Sequence, residues 1–409
     1  VIGLATIVLA VFLIARLTLR SLGGTLPAAF DWCVLVCGSY GGADFLDNLI
    51  LFIPLGIGLR LAGVPAVIAW IGAALLSGSI EAAQYYVIPG RDSSLGDLVA
   101  NSTGAAVGIA LANSRRRLLA PIGTEARRAG LAAAVAVALL AAGVQWLSRP
   151  RLPRTEYWVQ IAARLPQFAP FRGAVLDPAI NGTPAHAGRL DQGASTALRQ
   201  SLIDGTSRLS ATIVPDTTNV DFAPVLSVFD NRRVEIVVFG CRDRSLLERV
   251  RTRAAAVRLH PMTLDAAAGD PCRAGDTTAI EARPGAAGDV ALRVSRAGTV
   301  AAVTVPPIGV WLGWELLIPF AGPWARHRAL VTLLSMAALF AMLGYPIGRA
   351  WLDDRDPRWI LLAAVTTVGA LAIIPWAAGT LPAPRAVWLV SASALVVAWK
   401  LAQWRIDRP

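Results

Sequence analysis

Charge is scarce in this chain of 409 residues: 16% are Asp, Glu, Lys or Arg, while 55% are hydrophobic. Soluble domains carry roughly 25% charged and 45–50% apolar residues, so the composition points to a membrane. Histidine is scarcer still. The three present, His186, His260 and His327, are scattered, and none forms an H-E-x-x-H or another zinc spacing. The sequence also lacks a Walker A run, a dinucleotide-binding glycine fingerprint and a G-x-S-x-G nucleophile elbow. Nucleotide, nicotinamide and serine-hydrolase chemistry are thus without their usual marks. The net charge of +11 is not concentrated: residues 1–147 carry +2, 148–307 carry +5 and 308–409 carry +4. No basic stripe of the kind that tracks phosphates results, and no nucleic-acid partner is expected.

What is present is a division into blocks. Residues 148–307 are 22% charged and the flanks together 12%, so two apolar blocks enclose a more polar one. Crossing the bilayer core takes about 20 mostly apolar residues in a helix. Eight segments meet or approach that, near 1–15, 46–62, 64–80, 97–112, 129–147, 329–348, 359–378 and 386–402. The tight turn Gly63-Val64-Pro65 makes a helical hairpin of the second and third. The first lacks a charged leader and a cleavage site, and reads as a span rather than a signal peptide. Trp351, Trp359, Trp376, Trp388, Trp399 and Trp404 lie near the ends of the last three spans and read as interfacial anchors. Short loops rich in Lys and Arg stay in the cytoplasm, and the densest run, Arg115, Arg116, Arg117, Arg127 and Arg128, joins spans four and five. Alternation from that loop places both termini in the cytoplasm and the middle block outside, with Arg16 and Arg20 voting against.

Ionisable groups inside a membrane are costly and mark functional sites by default. Here they gather in one block. The second span opens DFLDNLILFIPLG, with Asp44 and Asn48 four apart on one face; the third ends SGSIEAAQYY, with Ser77, Glu81 and Gln84 sharing a face. The fourth is entered through GRDSSLGDLVANSTGAAVG, with Asp97 and Asn101 four apart, Arg91 and Asp92 on the approach, and Gly104 and Gly108 as a small-xxx-small pair. In the topology above, all of these lie at the outer end. They form either an outward-facing ligand pocket of Asp44, Asn48, Glu81, Gln84, Arg91, Asp92, Asp97 and Asn101, or a set of polar staples between three helices. As chemistry, Glu81 and Asp97 are the catalytic candidates for acid–base work and Arg91 the candidate anion clamp.

The ordered motifs D-x-x-x-N-x-x-L-F-x-P-L-G, S-x-x-x-E-x-x-Q and R-D-x-x-x-x-D-x-x-x-N-x-x-G, preceded by FDWCVLVCGSYGGADF, resemble the VanZ-like membrane family over about residues 1–115. The resemblance carries over to Asn48, Pro54, Gly56, Glu81, Gln84, Arg91, Asp92, Asp97, Asn101 and Gly104. It implies a cell-envelope protein of a family named for glycopeptide resistance, with no established enzymatic activity.

Residues 148–310 read as loops and short strands, including RLSATIVPD, APVLSVFD, RVEIVVFG and a hairpin in ALRVSRAGTVAAV that turns at Arg296-Ala297-Gly298. The run RSLLERVRTRAAAVRL at 244–259 fits a helix or two short strands. This block resembles the laminin-G-like, concanavalin A-like jelly roll over about 172–320, which implies glycan or protein binding, sometimes through Ca²⁺. Asp216, Asn219 and Asp221 are the candidate Ca²⁺ ligands, with turn formation as the competing reading; no other cofactor is expected. Cys241 and Cys272 are a candidate disulfide in an exported domain, and Cys33 and Cys37 lie close in sequence.

The expected fold is a multi-pass α-helical membrane protein of about eight transmembrane helices with an inserted extracytoplasmic all-β jelly-roll sandwich. Its parts are 1–147, 148–320 and 321–409. The expected setting is the cytoplasmic membrane of a bacterium. The expected partners are the lipid bilayer and an envelope glycan, lipid-linked sugar, glycopeptide-related or protein ligand. An enzyme acting on a lipid-linked substrate and a transporter are the alternatives.

Overall fold

A computed structural model of the chain describes residues 1–21, 25–27, 29–35, 38, 40–164, 168–218, 221–243, 245–261, 263–267, 270–284, 289–305, 309–318 and 327–404. Helices α1 (Ile2–Thr18), α2 (Gly41–Leu61), α3 (Ala66–Tyr86) and α4 (Leu95–Asn113) come first. Gly63, with φ +89°, stops α2, and Pro65 caps α3, giving the hairpin its tight turn. A short α5 (Arg115–Leu119) leads into α6 (Gly123–Leu147). After the β domain come α8 (Arg328–Asp354), then α9 (Arg358–Val368) and α10 (Ile374–Ala377) joined by a π turn, and finally α11 (Arg385–Trp404).

Among the described residues, seven helical stretches are long and apolar enough to cross a membrane, counting α9 to α10 as one, and α1 is a shorter apolar helix of 17 residues. Leu75, Val67, Met342 and Leu389 each expose more than half of their surface on these helices. In water such a belt would be an association surface, whereas in lipid it faces its solvent. By packing, α6 goes with the C-terminal helices: Ala134 and Val137 share a core with Phe340, Leu343 and Leu371.

Two details differ from the sequence reading. Trp359 is buried and Trp351 packs on Trp399, centroids 5.8 Å apart, so these rings fill the C-terminal bundle, while Trp376 and Trp404 are exposed. The 329–348 span also continues to Asp354, which brings Arg349 inside. Its guanidinium is buried and donates to the Pro121 and Ala402 carbonyls, tying the start of α6 to the end of α11.

The middle block is two six-stranded antiparallel sheets. Its strands are β1 (Tyr157–Ile161), β2 (Gly173–Ile180), β3 (Thr183–Pro184), β4 (Gly188–Arg189), β5 (Leu209–Pro215), β6 (Ala223–Asp230), β7 (Glu235–Arg242), β8 (Ser245–Val250), β9 (Leu264–Ala267), β10 (Thr278–Pro284), β11 (Val290–Arg296) and β12 (Thr299–Val305). The orders are β4-β1-β6-β7-β8-β9 and β12-β11-β10-β5-β2-β3. Alternation sets the facing: Leu209, Ala211 and Ile213 of β5 point inward, as do Val290, Leu292 and Val294 of β11. Arg296 pairs with Thr299 across the two-residue turn Ala297-Gly298, both at positive φ, as a twisted hairpin requires. The ambiguous 244–259 run is β8 followed by a 3₁₀ turn, Arg253–Val257.

A helix missing from the sequence reading lies here as well. α7 (Gln192–Ile203) starts at Asp191, whose carboxylate accepts from the Ala194 N–H, and buries Ser195, Leu198 and Leu202. Cys241 and Cys272 are joined, their Cα atoms 6.1 Å apart. Cys33 is also disulfide-bonded, and Cys37 lies outside the described residues.

The sandwich meets the helices through residues 253–263. Ala254 and Leu259 share a small core with Ala43 of α2, Val144 of α6 and Leu316. The Arg258 carbonyl accepts from the Gly42 and Ala43 N–H groups, covering the start of α2 at 3.1 and 3.3 Å. Tyr40 packs on His260 with centroids 4.4 Å apart; burial, with Arg249 adding to it, pushes the histidine down to about 4, so the contact joins neutral rings at pH 7. Buried Glu315 pairs with Arg328 at 2.5 Å, and Arg328 also reaches the Thr263 carbonyl. The sandwich therefore sits at the bundle end where α2 starts and α6 finishes.

Glu248 is the anomaly in the sandwich core. It lies on β8 between Phe239 and Leu264, is 0% exposed, and neither carboxyl oxygen has a partner. Burial pushes its pKa up from 4.5 to about 8. Between those two values the unfolded chain releases a proton that the folded one keeps. Stability is therefore full below about pH 4.5 and falls until about pH 8. Glu248→Gln is expected to leave thermal stability unchanged at pH 4.5 and to raise it by on the order of a few kcal/mol at pH 8. Unfolding midpoints of the full chain across that range check this; a pH-independent difference would rule the buried proton out.

Candidate functional site

The site depends on how closely α2 and α4 approach. A Cβ on Gly104 would lie 2.1 Å from the Leu49 carbonyl oxygen, one on Gly108 2.1 Å from that of Ile53, and one on Gly56 2.2 Å from that of Ala105. The two backbones touch, which only glycine permits on both sides. At the far end, Arg60 Nε donates to Asn113 Oδ1 at 2.7 Å and fixes the register.

That register brings polar groups together at the end near the sandwich. Asn48 donates to Asp97 Oδ1 at 2.7 Å, and Asn101 donates to Ser77 Oγ at 2.9 Å. Ser94 caps α4, its Oγ accepting from the Asp97 N–H at 3.0 Å. In a usual capping box the acid at the third helical position reaches back to the cap's own N–H. Here Glu81 of α3 takes that N–H, at 2.9 Å, which leaves Asp97 to accept from Asn48. One cap thus links three helices. Gln84 donates to the Thr18 carbonyl at 3.0 Å and brings in α1.

Arg91 does not face the carboxylates. Its Nε donates to the Arg20 carbonyl at 3.2 Å and its Nη2 to that of Leu17, so it covers the exposed carbonyls at the end of α1. Among the described residues no ion pair within 4 Å joins it to an acid. Burial and the neighbouring Arg20 lower its pKa, while Asp97 raises it. Asp92 and Asp44 are exposed at the rim.

Several members were not singled out from sequence. Asp47 lies beside Asn48 in the first turns of α2, and Thr18 supplies a carbonyl. Asp31 bridges to Ser94, its N–H donating to the Ser93 carbonyl and its own carbonyl accepting from Leu95. Ser94-Leu95-Gly96-Asp97 did carry a signal, since Ser-x-x-Asp ahead of an apolar run is a helix-start pattern. Nothing in the spacing pointed to Asp31, which is brought in by a loop.

The balance of hydrogen bonds is uneven. Asn101 Oδ1 and Gln84 Oε1 are buried with no donor, and their residues are 1% and 6% exposed; the Ser93 hydroxyl is also buried and unpartnered. Asp97 and Glu81 each use one carboxylate oxygen in the bonds above. Two amide oxygens of the site are therefore buried without donors. Among the described residues, no group of three or more His, Cys, Asp or Glu is placed to hold a metal ion. In the sandwich, Asp216 and Asp221 are exposed, and Asn219 lies outside the described residues.

Beside this cluster runs an apolar groove of about 640 Å³ between α3 and α4, lined by Trp70, Ala74, Leu75, Gly78, Ala82 and Leu98 among others. The groove is a separate feature from the polar cluster: Ala82 and Leu98 line it, while Glu81 and Gln84 turn to the buried side of α3.

Residues 9–118 match the model of the VanZ/LLP1 family. That stretch contains the whole α2–α3–α4 seam. No curated protein and no solved structure matches the chain, and no laminin-G or concanavalin A family model matches the sandwich.

Gly104→Ala is expected to cost about 1–3 kcal/mol, because the added carbon must push the Leu49 backbone away. Ala106→Leu, on the exposed face of the same helix, is expected to stay within about 0.5 kcal/mol. Thermal unfolding of both variants in detergent checks the pair.

Proposed function

We propose that the chain is a cell-envelope membrane protein that recognises a hydrogen-bond-donating envelope ligand, such as a glycan or lipid-linked sugar, at the outer end of α2, α3 and α4. The two buried acceptors without donors carry this reading. Asn101 Oδ1 and Gln84 Oε1 cost stability while unpaired, and sugar hydroxyls or an amine are the groups that would satisfy them. The apolar groove between the same two helices, α3 and α4, suits an acyl or polyprenyl chain attached to such a headgroup. The sandwich, held against the start of α2, is the second recognition element in this proposal. A bacterial cytoplasmic membrane, with both termini inside and the sandwich outside, is supported by the arginine-rich α5 and the start of α6, which lie at the opposite end of the bundle from the sandwich.

The geometry favours recognition over the two alternatives. Acid–base chemistry on a lipid-linked substrate would need an anion clamp, and Arg91 is engaged with the carbonyls of α1. A transport path would need polar groups near the middle of the spans, whereas these cluster at one end.

Asn101→Leu separates a ligand site from a staple. It removes one unpaired acceptor together with one bond to Ser77, so stability is expected to change by less than about 1 kcal/mol while ligand binding is lost. Lipid co-purifying with the wild-type chain and absent from Asn101→Leu and Glu81→Gln, identified by mass spectrometry, is the expected result. A variant that unfolds readily while retaining the lipid would show that these residues act only as staples.

A further inference from the structure

The sandwich contains a polar cavity whose imbalance is opposite in sign to that of the cluster between the helices. It holds about 580 Å³ and lies between the segment entering β1 and one face of α7. Arg154, Thr155 and Glu156 line one wall; Gln192, Ser195, Thr196 and Arg199, spaced i, i+3, i+4 and i+7 along α7, line the other. Every one of these side chains is polar.

The donors here lack acceptors. Arg154 makes no hydrogen bond or ion pair with the described residues. Arg199 spends Nε on the Leu152 carbonyl at 3.1 Å, which leaves both terminal nitrogens. Thr155 Oγ1 is buried without a partner. Ser195 Oγ accepts from the Tyr157 N–H at 3.0 Å, so its proton is still available, whereas Thr196 donates to the Gln192 carbonyl. The one acid of the wall, Glu156, is paired with Arg189 at 3.1 Å. Two guanidinium groups, one from each wall, and two hydroxyl protons therefore surround a cavity with one already paired carboxylate. Gln192 and Ser195 belong to the first turn of α7, whose partial positive charge adds to the same field.

A group made only of acceptors satisfies this arrangement. A carboxylate offers two oxygens, whereas a phosphoryl group offers at least three in a tetrahedral array, matching donors that arrive from both walls. We propose that the cavity is a phosphate-binding site, with Arg154 and Arg199 holding the phosphoryl oxygens and Thr155 and Ser195 completing the set. Its position allows two sources. Arg151 donates to the Arg251 carbonyl, Arg253 to that of Arg149, and the Arg253 guanidinium lies 5.0 Å from the Trp146 ring at the end of α6. The cavity wall begins at Arg154, on the chain that leaves α6 at Leu147, so a lipid headgroup and a phosphorylated glycan are the two sources to separate. The site is independent of the polar cluster between the helices.

The test uses the full chain in nanodiscs of phosphatidylcholine, titrated with inorganic diphosphate by calorimetry. R154A and R199Q are each expected to weaken binding about tenfold, and E156Q to strengthen it about threefold. R154A removes an exposed side chain with no partner, so its folding is expected to match wild type, and R199Q keeps a donor for the Leu152 carbonyl. Repeating the titration with phosphatidylglycerol in the discs distinguishes the sources. A loss of diphosphate affinity in wild type beyond that in R154A identifies the lipid headgroup as the occupant, and equal losses identify a soluble phosphoryl group. Absence of diphosphate binding, or binding unchanged in both R154A and R199Q, would overturn the proposal.

Discussion

Backbone contact between α2 and α4 is the constraint on which the rest depends. Helices separated by ordinary side chains have axes 8–10 Å apart, whereas the glycine stripe lets these two backbones touch. The glycines at 56, 104 and 108 remove that separation, and the 2.7 Å bond between Asn48 and Asp97 becomes geometrically available. In lipid no hydrophobic force presses helices together, so van der Waals contact along such a stripe and the polar bonds it permits must supply the cohesion. Against α3, the same α4 sets Asn101 on Ser77, and Ser94 caps α4 while its N–H turns to Glu81.

A second constraint acts where the sandwich meets the bundle. The opening N–H groups of a helix need acceptors, and those of α2 find one in the Arg258 carbonyl, presented by a residue in left-handed conformation with φ +51°. A Cβ on Gly42 would lie 2.1 Å from the Val257 carbonyl oxygen, so this contact too requires glycine. The helix capped in this way is the one that carries Asp44, Asp47 and Asn48. Movement of the 253–260 segment would therefore act directly on the helix end that supplies the polar cluster.

Much of this was legible in sequence, for identifiable reasons. Each proposed apolar segment corresponds to a helix, because exclusion of charge over a bilayer's width is a strong, local signal. The i, i+4 pairs in α2, α3 and α4 already placed their polar residues on common faces, and the hairpin at Ala297-Gly298 followed from turn chemistry. What escaped was non-local. Asp31 reaches the site by loop pairing to Ser94, and Arg91 faces α1 because the carbonyls of Leu17 and Arg20 are there to receive it; neither fact has a trace in spacing. The helix α7 was hidden by a weakly apolar composition, with Leu198 and Leu202 as its buried aliphatic side chains. Trp351, Trp359 and Trp399 misled for a related reason: amphipathic rings suit both a headgroup layer and a bundle core, and only packing decides between them.

The unpaired groups bear on function because the chain had alternatives. Apolar residues of the same shape in place of both partners of a buried hydrogen bond can be nearly neutral or stabilising, whereas each buried acceptor left without a donor costs about 1–3 kcal/mol. Asn101 Oδ1 and Gln84 Oε1 impose that cost on a seam that leucine or alanine could have filled, next to glycines that already secure the packing. The bonds they make, to Ser77 and to the Thr18 carbonyl, use only their amide nitrogens. Stapling thus accounts for one half of each side chain and leaves the oxygens unexplained. A ligand of the proposed kind, donating hydrogen bonds, would account for both halves: the nitrogens hold the amides in place, and the buried oxygens would receive its donors.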